Sequence, residues 1–504
     1  MNFRSNADAG RRTLPTKPMV GFLLAALTTA ALANVHRDPN KHVLLLSIDG
    51  IHALDLRNFV STHPGSAMAR LVKSGVDYTN ASSSKPSDSY PGLLAILTGG
   101  SPLSTGVYYD DSYDRTLSAP GSDGSVRGTE VVYDESIDID ADSLDAGGGI
   151  NPAALPIDPS NGNQPVYPHQ FLRVNTVFEV IKASGRRTAW SDKHPSYEIV
   201  NGPSGKGVDD LFAPEINNAF GSTDNVAKCE TYDDIKVRAI LHEIAGFDHT
   251  GKKMVGTPAL FGMNFQAVSV GEKTVGYVNG AGEPSTGLAD AMEHTDRSIG
   301  KMIETLERHH LLMNTTIILS AKHGQSPIDP LKHHIVDSKI IPGLINAIEP
   351  GLAAQVTADD IALIWLNDQS KTEIVAKTLR DNASSADIAE VFAGEGLMNF
   401  FPNPKTDSRA PDIVVVPNQG AIYAKPAATK IAEHGGFAPD DINVALVVSR
   451  PGMEHATIKT PVQTTQIAPT ILELLDLDAD ALQAVRQEKT QVLPGLALEG
   501  HRRD

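Results

Sequence analysis

A single cysteine, Cys229, stands in a chain of 504 residues. That excludes an intramolecular disulfide framework and any multi-cysteine zinc site, and leaves Cys229 to be read as a small side chain in a semi-buried spot. Positive charge is also scarce. Lys and Arg number 43 against 61 Asp and Glu, a formal net charge of −18, which excludes a general nucleic-acid-binding surface because such a surface needs a basic footprint. A small anionic substrate stays admissible, since one local cationic pocket can dominate its energetics. Beyond the N-terminus no apolar run is long enough to span a membrane, and no internal repeat is visible. What the chain does have is apolar residues, 41% of the total, ample for a large core.

The N-terminus carries Arg4, Arg11 and Arg12 ahead of "MVGFLLAALTTAALA", which ends in small residues at Ala31-Leu32-Ala33. A charged start, a short apolar stretch and an Ala-x-Ala end make a secretory signal, with a twin-arginine flavour in "GRRTL". The apolar run is shorter than the roughly 20 residues of a spanning helix. The expectation is a signal peptide over 1–33 and a mature domain over 34–504, periplasmic or secreted, with no stable membrane anchor once the signal is removed.

Along the mature chain, "HVLLLSI" (42–48), "TTIILSA" (315–321), "DIVVVP" (412–417) and "NVALVVS" (443–449) read as buried strands bounded by turns. Between them, 285–312 and 464–476 have amphipathic helical spacing. Buried strands interleaved with helices predict an α/β fold with a mostly parallel central sheet covered on both faces. In such sheets ligands sit beyond the carboxyl ends of the strands. A Gly-, Pro-, Ser- and Asp-rich stretch at 117–168 reads as a long loop insertion. Its Asp138, Asp140 and Asp142 mimic the start of a calcium loop without the required glycine and distal glutamate, so a solvated acidic loop is expected there.

Residues with chemistry cluster at the predicted strand ends. Asp49 in "SIDGI" closes the first strand. Ser89 in "KPSDSYPGLLAILTGG" precedes a helical run with Pro91 in its first turn, where free backbone N–H groups favour an anion. His323 follows the strand at 315, and His434 lies in "AEHGGF". Each alone reads equally well as an ordinary cap or turn residue.

Their order and company resemble the alkaline phosphatase superfamily, in its type I phosphodiesterase/nucleotide pyrophosphatase branch, from about residue 42 to 476. The resemblance implies an alkaline phosphatase-like α/β hydrolase that cleaves phosphodiester or pyrophosphate bonds of a small phosphate ester. By position it implies Ser89 as nucleophile and Asp49, His323 and His434 as metal ligands.

The departures are as informative. Lys322 in "SAKHGQSP" stands where the family has a metal-binding Asp. Another pair of ligand positions falls on Val268 and Glu272, and valine cannot bind metal. The Asn that contacts the transferred phosphoryl group falls on Asp110. Two repairs are open. Asp110, Asp192 and His194, on the substrate-facing loops, could rebuild a site for a divalent metal, zinc by donor type with manganese or calcium as alternatives. Alternatively, the Lys322 ammonium replaces metal charge or activates Ser89. A phosphomonoesterase or sulfatase, and a catalytically degenerate ester-binding protein, are the rival functions.

Overall fold

The computed structural model describes residues 41–217 and 221–496, all of which fall in one compact unit. The predicted signal peptide lies outside the described residues. Among the described residues, no helix is long and apolar enough to cross a membrane.

Among the described residues, eight strands form the central sheet, in the order Ala456–Ile458, Gly75–Tyr78, Val447–Ser449, Thr315–Ser320, His42–Ile48, Leu260–Phe265, Thr188–Ser191 and Asp210–Phe212. Thr315–Ser320 through Asp210–Phe212 all run parallel. Val447–Ser449 runs antiparallel to both of its neighbours. The predicted mostly parallel sheet is therefore present. Its central strand His42–Ile48 is buried along its whole length, as a strand covered on both faces must be.

The helices obey the same logic. Thr286–Arg308 buries Leu288, Met292, Ile299, Met302 and Leu306 on one stripe, and Ser285 caps it by accepting from the Leu288 N–H. Such a stripe is the face that a sheet-covering helix must present. The helix Ile467–Leu474 answers the second amphipathic prediction.

Two of the predicted strands need correction. "DIVVVP" yields Ile413–Pro417, which belongs to a separate four-stranded antiparallel sheet with Ala353–Ala358, Ala362–Leu366 and Ile388–Ala393. An apolar run buried on both faces reads the same in either sheet. One face of this second sheet packs Ile364 and Val415 against the helices Ile340–Ile348 and Thr372–Asp381. The other packs Leu363, Trp365 and Val414 with Tyr108 and Tyr109. "NVALVVS" is broken in two, with Asn443–Val444 in a small three-stranded sheet and Val447–Ser449 in the central one.

The stretch 117–168 is an ordered excursion rather than a bare loop. Thr129–Val132 pairs with Asp111–Asp114, and the Tyr133 carbonyl just beyond accepts from the Tyr90 hydroxyl at 2.7 Å and from Ser196 Oγ at 2.8 Å. Asp138 turns inward and is buried, while Asp140 and Asp142 stay outside the core. Cys229 is buried in the helix Val226–Ile244, as a small packed side chain.

Candidate active site

Four adjacent parallel strands each deliver side chains at their carboxyl ends. Asp49 follows His42–Ile48, Lys322 and His323 follow Thr315–Ser320, Gln266 follows Leu260–Phe265, and Asp192 with Lys193 follows Thr188–Ser191. This is the edge where open α/β sheets bind ligands.

Ser89 reaches the same edge as the first residue of the helix Ser89–Thr98. The cap is its neighbour Asp88, whose carboxylate accepts from the Tyr90 N–H at 3.0 Å. Ser89 is thus freed from capping duty at the helix start. Gly92 lets the helix approach the sheet. A methyl group there would stand 2.1 Å from the Lys322 carbonyl oxygen.

The Ser89 hydroxyl oxygen lies 3.3 Å from His323 Nε2 and accepts from Lys193 Nζ at 3.2 Å. His323 Nδ1 lies 2.9 Å from the Gly324 carbonyl and donates to it. That fixes the tautomer and leaves Nε2 as an acceptor aimed at Ser89. Burial lowers the His323 pKa to about 4, with Lys193 assisting and Asp49 opposing, so the ring is neutral around pH 7. His434 packs against His323 with ring centroids 3.8 Å apart and the planes tilted by 30°. Burial and the proximity of His323 hold His434 well below the ordinary imidazole range.

Asp49 is the charge anchor. Its Oδ2 accepts from the Gln266 amide at 2.6 Å and lies 3.7 Å from Lys322 Nζ, 3.8 Å from Lys193 Nζ and 3.7 Å from His323 Nε2. Burial pushes this carboxyl up, but Lys322, His323 and Lys193 outweigh it and bring it down to about 2. Lys322 itself is wholly buried, 2.9 Å from Asp192 Oδ1 and 4.3 Å from the Tyr197 ring centre. It supplies fixed positive charge from below and is not the lysine that touches Ser89.

Lys193 does that, and sequence reading missed it. In "SDKHP" the flanking Asp192 and His194 are the ligand-like residues, yet the lysine between them is the one beside the nucleophile. Burial lowers the Lys193 pKa, with Lys322 assisting and Asp49 opposing.

The rebuilt metal site is not assembled. Asp192 is saturated by Lys322, by the Lys193 backbone N–H at 3.0 Å and by the Trp190 indole at 2.9 Å. His194 pairs with Glu215, its Nδ1 2.8 Å from Oε1. Asp110 sits half-buried on the Asp88 side, where burial and the Asp88 and Asp359 carboxylates push its carboxyl well above the usual range. Val268 is buried in the apolar core. Around Asp49, two ammonium groups stand within 4 Å of one carboxylate oxygen, and one of them also occupies the Ser89 hydroxyl. A divalent cation does not fit among those charges. Among the described residues, the one group of three or more His, Cys, Asp or Glu side chains with ligand atoms within 4.8 Å of one another is His52, Asp55 and Glu272.

A mostly parallel sheet with a hydroxyl, histidines and an aspartate at its carboxyl edge is an arrangement suited to ester hydrolysis. The family model for type I phosphodiesterase / nucleotide pyrophosphatase matches residues 43–438, and the chain belongs to that family. Solved structures agree at the level of the fold. Murine ectonucleotide pyrophosphatase / phosphodiesterase 5 is 14% identical with a TM-score of 0.57, covering 87% of this chain and 96% of its own. An inactive variant of that protein, in complex with AMP, gives 0.58 at 14% identity and the same coverage. Wild-type alkaline phosphatase PafA is 13% identical with a TM-score of 0.58, over 87% and 96% of the two chains. No curated protein matches. Members of the family are metal-dependent, and in this chain Lys322 stands 3.7 Å from Asp49 where the resemblance in sequence implies a metal-binding Asp.

Proposed function

We propose that the chain hydrolyses phosphodiester or pyrophosphate bonds of small phosphate esters through a covalent Ser89 intermediate, with lysine charge at the reacting centre. The observation that carries this reading is the Ser89 hydroxyl held between His323 Nε2 at 3.3 Å and Lys193 Nζ at 3.2 Å. The chemistry needs little beyond positioning and charge stabilisation.

In the first step Ser89 Oγ attacks phosphorus, its proton passes to His323 Nε2, and the bond to the leaving oxygen breaks. Lys193 faces the non-bridging oxygens, and Lys322 keeps Asp49 and Asp192 from repelling the substrate's negative charge. The leaving oxygen lies opposite Ser89 in the in-line displacement and takes its proton from solvent, while His323 keeps the proton from Ser89. A water then attacks the phosphoserine from the side the leaving oxygen vacated, losing its proton to solvent, and His323 returns its proton to Ser89 Oγ as phosphate or phosphomonoester departs. Asp110, with its carboxyl pushed well above the usual range, is assigned the role of hydrogen-bond donor to the phosphoryl group. Nucleotides are the first substrates to try, since a relative of the same fold is seen with AMP. The N-terminal pattern supports an exported mature protein.

The test is a hydrolysis panel of bis-p-nitrophenyl phosphate, p-nitrophenyl phosphate, p-nitrophenyl sulfate and a dinucleotide, with intact-protein mass spectrometry of the trapped enzyme. The expected result is diesterase activity above the other arms, a phosphoryl or phosphodiester adduct on Ser89, and loss of both in Ser89→Ala. Full activity in Ser89→Ala overturns the proposal. Preference for the monoester or sulfate arm overturns the assigned bond type.

A further inference from the structure

A second buried cluster lies just beyond Asp49, and the Ser89 chemistry does not use it. His52 sits before the helix Ala53–Thr62, Asp55 lies in that helix's first turn, and Glu272 lies late in the helix Ala267–Thr274, close to Tyr277. His52 Nδ1 lies 2.5 Å from Asp55 Oδ2, 3.5 Å from Glu272 Oε1 and 3.0 Å from the Tyr277 hydroxyl. That hydroxyl lies 3.0 Å from Asp55 Oδ2 and 2.6 Å from Glu272 Oε1. The other oxygens of both carboxylates, Asp55 Oδ1 and Glu272 Oε2, are buried without a hydrogen-bond partner.

We propose that His52, Asp55 and Glu272, with Tyr277 closing the shell, bind one divalent transition-metal ion, zinc by donor preference, in a closed site separate from the Ser89 centre. A tetrahedral ion with ligands near 2.0 Å spaces its donors about 3.3 Å apart. The observed separations lie on both sides of that value, so an ion enters by opening the tighter pairs by less than an ångström. One imidazole and two carboxylates suit zinc, with manganese next.

The surroundings are also those of a metal ligand. His52 Nε2 lies 2.9 Å from the Gln325 carbonyl. With its proton there, Nδ1 turns a free lone pair on the carboxylates, the arrangement that orients metal-binding histidines. The same nitrogen lies 3.0 Å from the Gln325 N–H, the partner it takes when a proton on Nδ1 fills the cluster instead. Gly50 makes room for Glu272, since a methyl group there would stand 2.2 Å from Oε2. The nearby Lys273 is committed to Glu433 at 2.6 Å, so a dication neutralises two buried carboxylates that otherwise share one proton or imidazolium. Two clefts border the cluster. Asp55 lines a cleft of about 280 Å3 beside Phe59 and Pro284, and His52 lines another of about 420 Å3 beside Asn443.

The experiment uses the purified full chain, analysed for bound metal, then stripped with chelator and titrated with Zn2+ and with Co2+ as a visible reporter. The expected result is about one ion per chain, a tetrahedral cobalt spectrum, a thermal midpoint that falls on stripping, and at least about tenfold weaker binding in Glu272→Gln. Asp49→Asn should bind as wild type does. No uptake of either ion with an unmoved midpoint overturns the proposal and leaves His52 holding the proton. Equal binding by Glu272→Gln, or loss of the ion in Asp49→Asn alone, also overturns it. Should Glu272→Gln not fold, the wild-type cobalt titration decides by its spectrum. None of these readouts involves turnover, so failure of the metal test leaves the Ser89 test untouched.

Discussion

At the scale of single residues, the centre depends on which lysine does what. Lys322 is the substitution that sequence reading singles out, yet its ammonium is spent on Asp192 and the Tyr197 ring. Lys193 holds the position next to the nucleophile. Lys193→Ala should therefore lower kcat by about a hundredfold or more, the scale of losing one charge-stabilising donor, while the thermal midpoint stays close to wild type. An unchanged kcat would remove Lys193 from the mechanism. Asp110 gives the complementary test. Burial and the carboxylates around it push its carboxyl well above the usual range, and Asp110→Asn puts a neutral donor of nearly the same shape in its place. Activity should stay within about threefold of wild type, since the hydrogen bond is exchanged rather than lost. A collapse of kcat on this substitution would mean that a carboxylate is required.

At the scale of elements, the Ser89 helix must lie hard against the end of the Thr315–Ser320 strand to bring hydroxyl and imidazole within 3.3 Å. Gly92 permits that contact. In an exposed helix Gly→Ala gains about 1 kcal/mol, but at Gly92 the added methyl meets the Lys322 backbone at 2.1 Å, and backbone cannot rotate away. Overpacking of this kind costs about 1–3 kcal/mol. Gly92→Ala should lower the thermal midpoint and reduce kcat more than KM, because the nucleophile moves while the rest of the pocket stays. A midpoint that rises would show the helix free to shift. The contrast between Gly92 and Lys193 also marks how far the sequence carries. Asp49, Ser89, His323 and His434 are legible by their place in a recognisable order of strand ends and helix starts. Lys193 is not, because lysine after a strand has no pattern of its own and only the Asp210–Phe212 and Leu260–Phe265 neighbours fix where its strand ends. The second sheet escapes for a related reason. Ile413–Pro417 is apolar on both faces, and periodicity cannot say which sheet buries it.

At the scale of the whole molecule, stability and turnover share a charge balance, and pH separates the contributions. His323 is buried and neutral in the folded state, with its pKa lowered from 6.5 to about 4. The unfolded chain therefore takes up this proton first as pH falls, and the stabilisation present above 6.5 drains away between 6.5 and 4. A shift of that size corresponds to about 3 kcal/mol. Asp49, lowered from 3.8 to about 2, works in the same direction over a lower window, its contribution being present above 3.8 and lost as pH falls to 2. Unfolding free energy from denaturant titrations should thus fall in two stages on acidification, the first centred between 4 and 6.5. His323→Gln, which has no proton to gain, should shrink that first stage, the rest of which is carried by His434 and His194 with their lowered pKa values. Turnover reads the same group in the folded enzyme. The acid limb of kcat/KM should sit near 4, where His323 stops accepting the Ser89 proton. The alkaline limb should lie below the ordinary 10.5 of lysine, because burial lowers the Lys193 pKa. Lys193→Arg, which stays charged, should carry the alkaline limb out of the measurable range. An alkaline limb that does not move in that variant assigns the lost proton to another group and removes Lys193 as the source of the charge that holds the phosphoryl oxygens.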